Sequence, residues 1–228
     1  MTRSKLMVWA LGLAALVAAL LWLAHRPHIY RYKLTVEVAT ANGPRTGAAV
    51  REIKWRDCPR ITPDADMASM TERGEAVMVE LPDGQILLAL LSPDVQQTVN
   101  AAFGPGIASK LAARKDKRIV TLAPPDQPEA LYGESGYPRL VRFADPGDPS
   151  TVEKVDPRNL AASFGSGTIL KRITAQMTEE PVTSRVGDDL PWLAGYRDKM
   201  LDGERVHRVQ SPLMASHLNS LAFRRDGE

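Results

Sequence analysis

Tyr30-Arg31-Tyr32-Lys33-Leu34-Thr35-Val36-Glu37-Val38 alternates without a break. Tyr30, Tyr32, Leu34, Val36 and Val38 fall on one side of an extended chain; Arg31, Lys33, Thr35 and Glu37 fall on the other. Aromatic and β-branched residues at period two mark a strand with one face in a core and one in water. Downstream, Asn42-Gly43-Pro44 has turn chemistry. A second strand, about Thr46 to Trp55, sets Ala49, Arg51, Ile53 and Trp55 against Ala48, Val50, Glu52 and Lys54. The two read as an antiparallel hairpin with a loop longer than the two-residue minimum.

Further along, a loop rich in Pro, Asp, Ser and Met is expected from Pro59 to Arg73. A second hairpin is expected from Glu75–Leu81 and Gln85–Leu91 around Pro82-Asp83-Gly84, and its apolar run from Ile86 to Leu91 predicts a central strand. Ser92-Pro93 opens a helix to about Phe103, and Gly104-Pro105-Gly106 leads into a second short one. Strands are expected at Arg118–Leu122, Leu140–Phe143 and Ile169–Met177, with a proline-rich loop or linker at 123–139. Asp145–Pro149 reads as a turn. Asp156-Pro157 begins a short helix to Phe164 that Gly165-Ser166-Gly167 ends. Helices are expected in part of Leu190–Met200 and from Ser211-Pro212 through Phe223. Hairpin-linked strands with few helices argue against βαβ units. The expected fold is mainly β, a sandwich or partly open barrel with short C-terminal helices on one face or edge; the alternative is α+β.

Upstream of the first strand, Met7 to Ala24 runs for eighteen residues without a charge, an amide or a proline. As a helix it spans about 27 Å, close to the roughly 30 Å of a hydrocarbon core. Trp9 and Trp22 stand near its ends, and Arg26 follows, as interface residues do. A cleaved signal needs small residues one and three positions before the cut, and a cut after Ala24 would put Trp22 at the third. The expected organisation is a short tail at 1–6, an uncleaved transmembrane anchor at 7–24 and one soluble domain at 28–228. Arg3 and Lys5 on one side nearly balance Arg26, Arg31 and Lys33 on the other. A short tail inside and a domain outside, as in most N-terminal signal-anchors, is the expected topology. Arg outnumbers Lys and Ala is abundant, which suits a GC-rich bacterial genome. That places the anchor in an inner membrane and the domain in the periplasm.

Composition narrows the function by exclusion. The 29 basic and 27 acidic residues nearly cancel, so no global field marks a nucleic-acid binder. Cys58 is the one cysteine, which excludes an intrachain disulfide. Neither Gly165-Ser166-Gly167 nor Ser135-Gly136 has the spacing of a nucleophile elbow or phosphate loop, and no cofactor motif is found. Asp188-Asp189 reads as a cap for the helix carrying Trp192.

Two groups of side chains carry the remaining chemical signal. Glu204 and His207 share a helical face at spacing three, and His217 would join them as a third ligand if the two segments fold together. Lys110, Arg114, Lys115, Lys117 and Arg118 form the densest basic run, fit to touch an anionic surface such as lipid headgroups. The expected function is a membrane-anchored envelope protein with a non-catalytic binding or scaffolding domain. Its expected partners are membrane lipid, through residues 7–24, and other envelope proteins. The alternative is a membrane-anchored hydrolase, metal-dependent through Glu204, His207 and His217.

Overall fold

The computed structural model describes Trp9, residues 11–17, Ala19 and residues 26–57, 68–105, 117–124, 136–208 and 210–227. Cys58, Trp22, Lys110, Arg114, Lys115 and most of the 123–139 loop lie outside the described residues. Of the 7–24 run, Trp9, residues 11–17 and Ala19 are helical, and each is exposed. Among the described residues no helix is long and apolar enough to cross a membrane.

The alternating stretch is a long strand, β1 (His28–Thr40), and its odd and even positions sort as the pattern demands. Tyr30, Tyr32, Leu34, Val36 and Val38 are buried, and the intervening side chains are half-buried. β2 (Gly43–Asp57) pairs with it from Thr40↔Gly43 to His28↔Trp55. The connection is Ala41-Asn42 alone, shorter than the sequence suggested. Gly43 takes φ 103°, a left-handed value that lets pairing begin at once.

β2 continues to β3 (Ala68–Glu75), a strand inside the span expected to be a loop. β9 (Ile169–Thr178) lies on the other side of β1, with a register shift between Glu37 and Val38. β6 (Ile119–Thr121) and β10 (Arg224–Asp226) form the edges. The large sheet is therefore ordered β10-β3-β2-β1-β9-β6, antiparallel throughout.

A smaller antiparallel sheet is ordered β4-β5-β7-β8, from β4 (Val77–Glu80), β5 (Ile86–Ala89), β7 (Leu140–Phe143) and β8 (Val152–Lys154). Its first hairpin turns at Pro82-Asp83-Gly84 as expected; β8 was not foreseen. Neither sheet closes on itself. The molecule is β-rich, with two open antiparallel sheets and few, short helices.

The two sheets share one apolar cluster, with Leu34, Val36 and Val38 on one side and Val77, Val79, Leu87 and Ala89 on the other. At Gly47 the backbones come so close that a Cβ would collide with the Met78 carbonyl. Helix α1 (Val95–Phe103) closes the cluster near β1, with Phe103 edge-on to Tyr32. Asp94 supplies its cap, accepting from the Gln97 N–H at 3.3 Å, in place of Ser92. Helix α2 (Leu160–Phe164) is capped by Asn159 rather than by Asp156, and it ends at Gly165 with φ 91°.

β5 is apolar on both faces because its sheet is covered on both. Leu88 and Leu90 point away from the shared cluster into a second core with Val141, Phe143 and Val152. The C-terminal segment roofs this core with Val186, Leu190, Leu193, Leu201, Leu218 and Phe223. Phe143, Trp192 and Phe223 meet there at ring separations of 5.3 to 6.0 Å. Each such side chain contributes about 1.5–3 kcal/mol by leaving water.

The roof is less helical than expected. It holds a single α turn, α3 (Val186–Asp189), and 3-10 turns at Pro191–Tyr196, Met214–His217 and Ser220–Ala222. Asp188 and Asp189 lie within α3, and the 3-10 turn carrying Trp192 has Leu190 at its N-cap with no side-chain cap bond.

Candidate functional site

The segments carrying His207 and His217 do fold together. His207 Nε2 lies 2.9 Å from His217 Nδ1, and His217 Nε2 lies 2.7 Å from the Ser211 carbonyl oxygen. A carbonyl only accepts, so His217 Nε2 carries a proton and, in the neutral ring, Nδ1 is the acceptor. His207 Nε2–H then donates to it. Both nitrogens of His217 are committed to holding the 200–217 loop.

Glu204 is not part of this pair. Its carboxylate is exposed and bonded to Arg208 at 2.9 Å, four residues on in a segment that is not helical. Among the described residues no group of three or more His, Cys, Asp or Glu is placed to hold a metal ion.

Serines and an aspartate lie beside the histidines without forming a nucleophilic relay. Ser216 donates to Asp202 Oδ2 at 2.7 Å and lies 2.9 Å from Ser211 Oγ. A relay needs the imidazole against the serine hydroxyl and the carboxylate against the imidazole. Here the carboxylate holds a serine, and the imidazole faces a main-chain oxygen. His217 also borders a hollow of about 150 Å³ with a floor of Leu90, Leu91 and Leu218 and two basic side chains, Arg139 and Arg225.

Arg225 reaches from that hollow into the interior. It donates to Glu72 at 3.0 Å and to the carbonyls of Ser92 and Leu221 at 2.7 and 3.1 Å. The Glu72 side chain is 1% exposed and also accepts from the Tyr32 hydroxyl at 2.8 Å. Arg51, fully buried, donates to the carbonyls of Glu75, Ala89 and Leu90 and so bridges the two sheets. The second carboxylate of β3, Glu75, accepts from the Val186 N–H at 2.8 Å and pins α3. Burial and then the nearby Glu72 charge raise the Tyr30 and Tyr32 phenols well above the ordinary tyrosine range. Burial alone pushes Tyr137 up to about 12. Arg225 and Glu72 pair opposite signs inside the fold, while Arg51 and Glu75 tie its layers together through main-chain groups.

Two surfaces remain, at opposite ends of the large sheet. Where β1 leaves the apolar run, Arg26, Lys54, Arg56, Lys117 and Arg118 are exposed. At the far end, a hollow of about 730 Å³ opens over Gly47 and is lined by Arg45, Glu80, Arg185, Asp188 and Asp189, all exposed. Sequence reasoning found Arg26, Lys117 and Arg118 but missed Lys54 and Arg56, which join them only through strand register. It also missed the far hollow, whose lining comes from three separated segments. No family model matches the chain, and comparison with curated proteins and with solved structures returns no match.

Proposed function

We propose that this chain is a single-pass protein of a bacterial inner membrane whose periplasmic β-rich domain binds or scaffolds other envelope proteins without catalysing a reaction. One observation carries the membrane reading. Trp9, Leu11, Leu13, Leu16 and Val17 are apolar, helical and exposed, from 47% to 74%, and the glycine and alanines among them are exposed too. A helix that is apolar on every side and covered by nothing in its own fold suits lipid as its solvent. The uncharged run from Met7 to Ala24 has the length to span.

The binding reading rests on the far hollow. Exposed side chains of both signs around a concavity suit a protein partner better than a polyanion, which would meet Glu80, Asp188 and Asp189. Tethering confines that hollow to a thin layer above the bilayer and raises its effective concentration for membrane-bound partners.

The test is mass spectrometry of what a C-terminally tagged full-length chain captures from cross-linked native membranes, with an anchor-only control. A small, reproducible set of envelope proteins is expected, and Arg185→Glu with Asp188→Lys is expected to deplete it. Capture no greater than the control overturns the scaffold; release of the chain by alkaline carbonate overturns the anchor.

A further inference from the structure

We infer that the end of the six-stranded sheet nearest residues 7–24 is a docking surface for anionic phospholipid headgroups, built from three segments that only the fold brings together. The inference rests on the anchor proposed above and adds what the domain does at the bilayer. Three residues lie between Ala24 and His28, so the start of β1 is four Cα steps, about 14 Å at most, from the end of the apolar run. The other end of β1 is remote: thirteen residues of strand extend about 44 Å. Whatever is level with His28 and Ile29 is therefore close to the headgroups, and whatever is level with Thr40 is not.

Strand register decides which residues those are. His28 pairs with Trp55 and Ile29 with Lys54, so Lys54, Trp55 and Arg56 end β2 beside the exit of the anchor. Lys54 and Arg56 are exposed on one face of the strand, while Trp55, on the other, is half-buried against the core. On the other side of β1, Ile119 pairs with Gln176, which pairs with Lys33, and the Gln176 side chain donates to the Lys117 carbonyl at 3.3 Å. This sets Lys117 level with Arg31 and Arg118 level with Tyr32, about 10 to 14 Å along β1 from His28, with Ile119 66% exposed on the edge strand.

Arg26, Lys54, Arg56, Lys117 and Arg118 thus share one end of the sheet, although up to ninety-two positions apart in the chain (26 to 118). Against them stand Glu179 and Glu180. Lys33 holds Glu180 at 3.0 Å, and Arg31 is likewise occupied by Glu52 at 2.7 Å. Among the described residues at this end basic side chains outnumber acidic ones, and those beside His28 lie within reach of a headgroup field that decays over about 8–10 Å at physiological salt.

The test uses the full-length chain in nanodiscs of phosphatidylcholine alone or with about 30 mol% phosphatidylglycerol, read by amide hydrogen exchange. In anionic discs, exchange at 53–57 and 117–121 is expected to slow at least threefold, with 43–47 at the far end unchanged. The protection is expected to vanish in 0.5 M salt and in the variant Lys54→Glu, Arg56→Glu, Lys117→Glu. Because the lipid and salt comparisons use the unaltered chain, a variant that misfolds does not spoil the result. Equal exchange in both discs, or protection that survives high salt, overturns the headgroup surface and leaves the anchor standing. A chain that enters neither disc overturns both.

Discussion

The two ends of the six-stranded sheet are built from different material, inside as well as out. At the end near the apolar run, β1 presents Tyr30 and Tyr32 inward to Glu72, Arg51 and Arg225. At the far end it presents Leu34, Val36 and Val38, and β2 approaches β4 so closely that only Gly47 fits. The surfaces differ in parallel, basic at the near end and of mixed sign around a hollow at the far one. Buried polar groups demand specific partners, because each left unsatisfied costs about 1–3 kcal/mol. Apolar contact demands only shape. The near end is thus fixed in geometry where it would meet a flat, charged bilayer, and the far end gains stability by packing while holding a concavity open.

The comparison breaks most sharply at Arg225. Arg225→Met leaves the Glu72 carboxylate buried without its cation, and urea unfolding should show a loss of about 3–5 kcal/mol. Adding Glu72→Gln should recover part of it; full stability in the single variant would show that the near end does not depend on that pair.

Gly47→Ala probes the far end. The added methyl meets the Met78 main chain, and overpacking of this kind costs about 1–3 kcal/mol. Hydrogen exchange should localise the loosening to β2 and β4, away from Tyr32. A uniform response across the sheet would mean that the two ends are not separable.

Alkaline unfolding gives the gentlest test. Tyr30, Tyr32 and Tyr137 keep their protons in the folded protein beyond the ordinary value of 10.0 at which the unfolded chain loses them. The folded state then binds more protons, so stability is full below pH 10 and falls as the pH rises toward the folded values. Each tyrosine contributes about 1.4 kcal/mol per pH unit to that fall. Tyr30 has a buried hydroxyl without a hydrogen-bond partner. Tyr30→Phe should therefore flatten the decline above pH 10 at little cost at pH 7, whereas Tyr32→Phe also loses its bond to Glu72. Identical alkaline curves for the wild type and Tyr30→Phe would contradict the burial of that phenol.

How far the sequence carries depends on the same contrast. β1 was legible because apolar side chains fill every second position, and β2 and β9 because the same alternation is interrupted once in each, at Arg51 and at Lys171. β3 was not: its core-facing residues include Glu72 and Gly74, and the charge that makes Glu72 tolerable stands on Arg225, 153 positions away. The C-terminal roof misled for another reason. Leu190, Leu193, Leu201, Met214 and Leu218 reach their core through single turns, with no 3.6-residue period to show. The meeting of His207 with His217 hung on how two segments fold together, which spacing does not decide, whereas Glu204 and Arg208 stand only four positions apart. In the basic surface, Arg26 and the 110–118 run were visible as charge, while Lys54 and Arg56 needed the register to find their neighbours.

β10 has a consequence for the order of events in the cell. It is the strand that supplies Arg225, and it comes last in the chain, whereas Glu72 is made early. At about 5–20 residues per second, the carboxylate waits roughly 8–30 seconds for its counter-charge. Until then the large sheet lacks an edge and the second core lacks Phe223. Until β10 has been made, a nascent domain of this design therefore holds a buried carboxylate without its cation, and its large sheet and its second core are completed together and late.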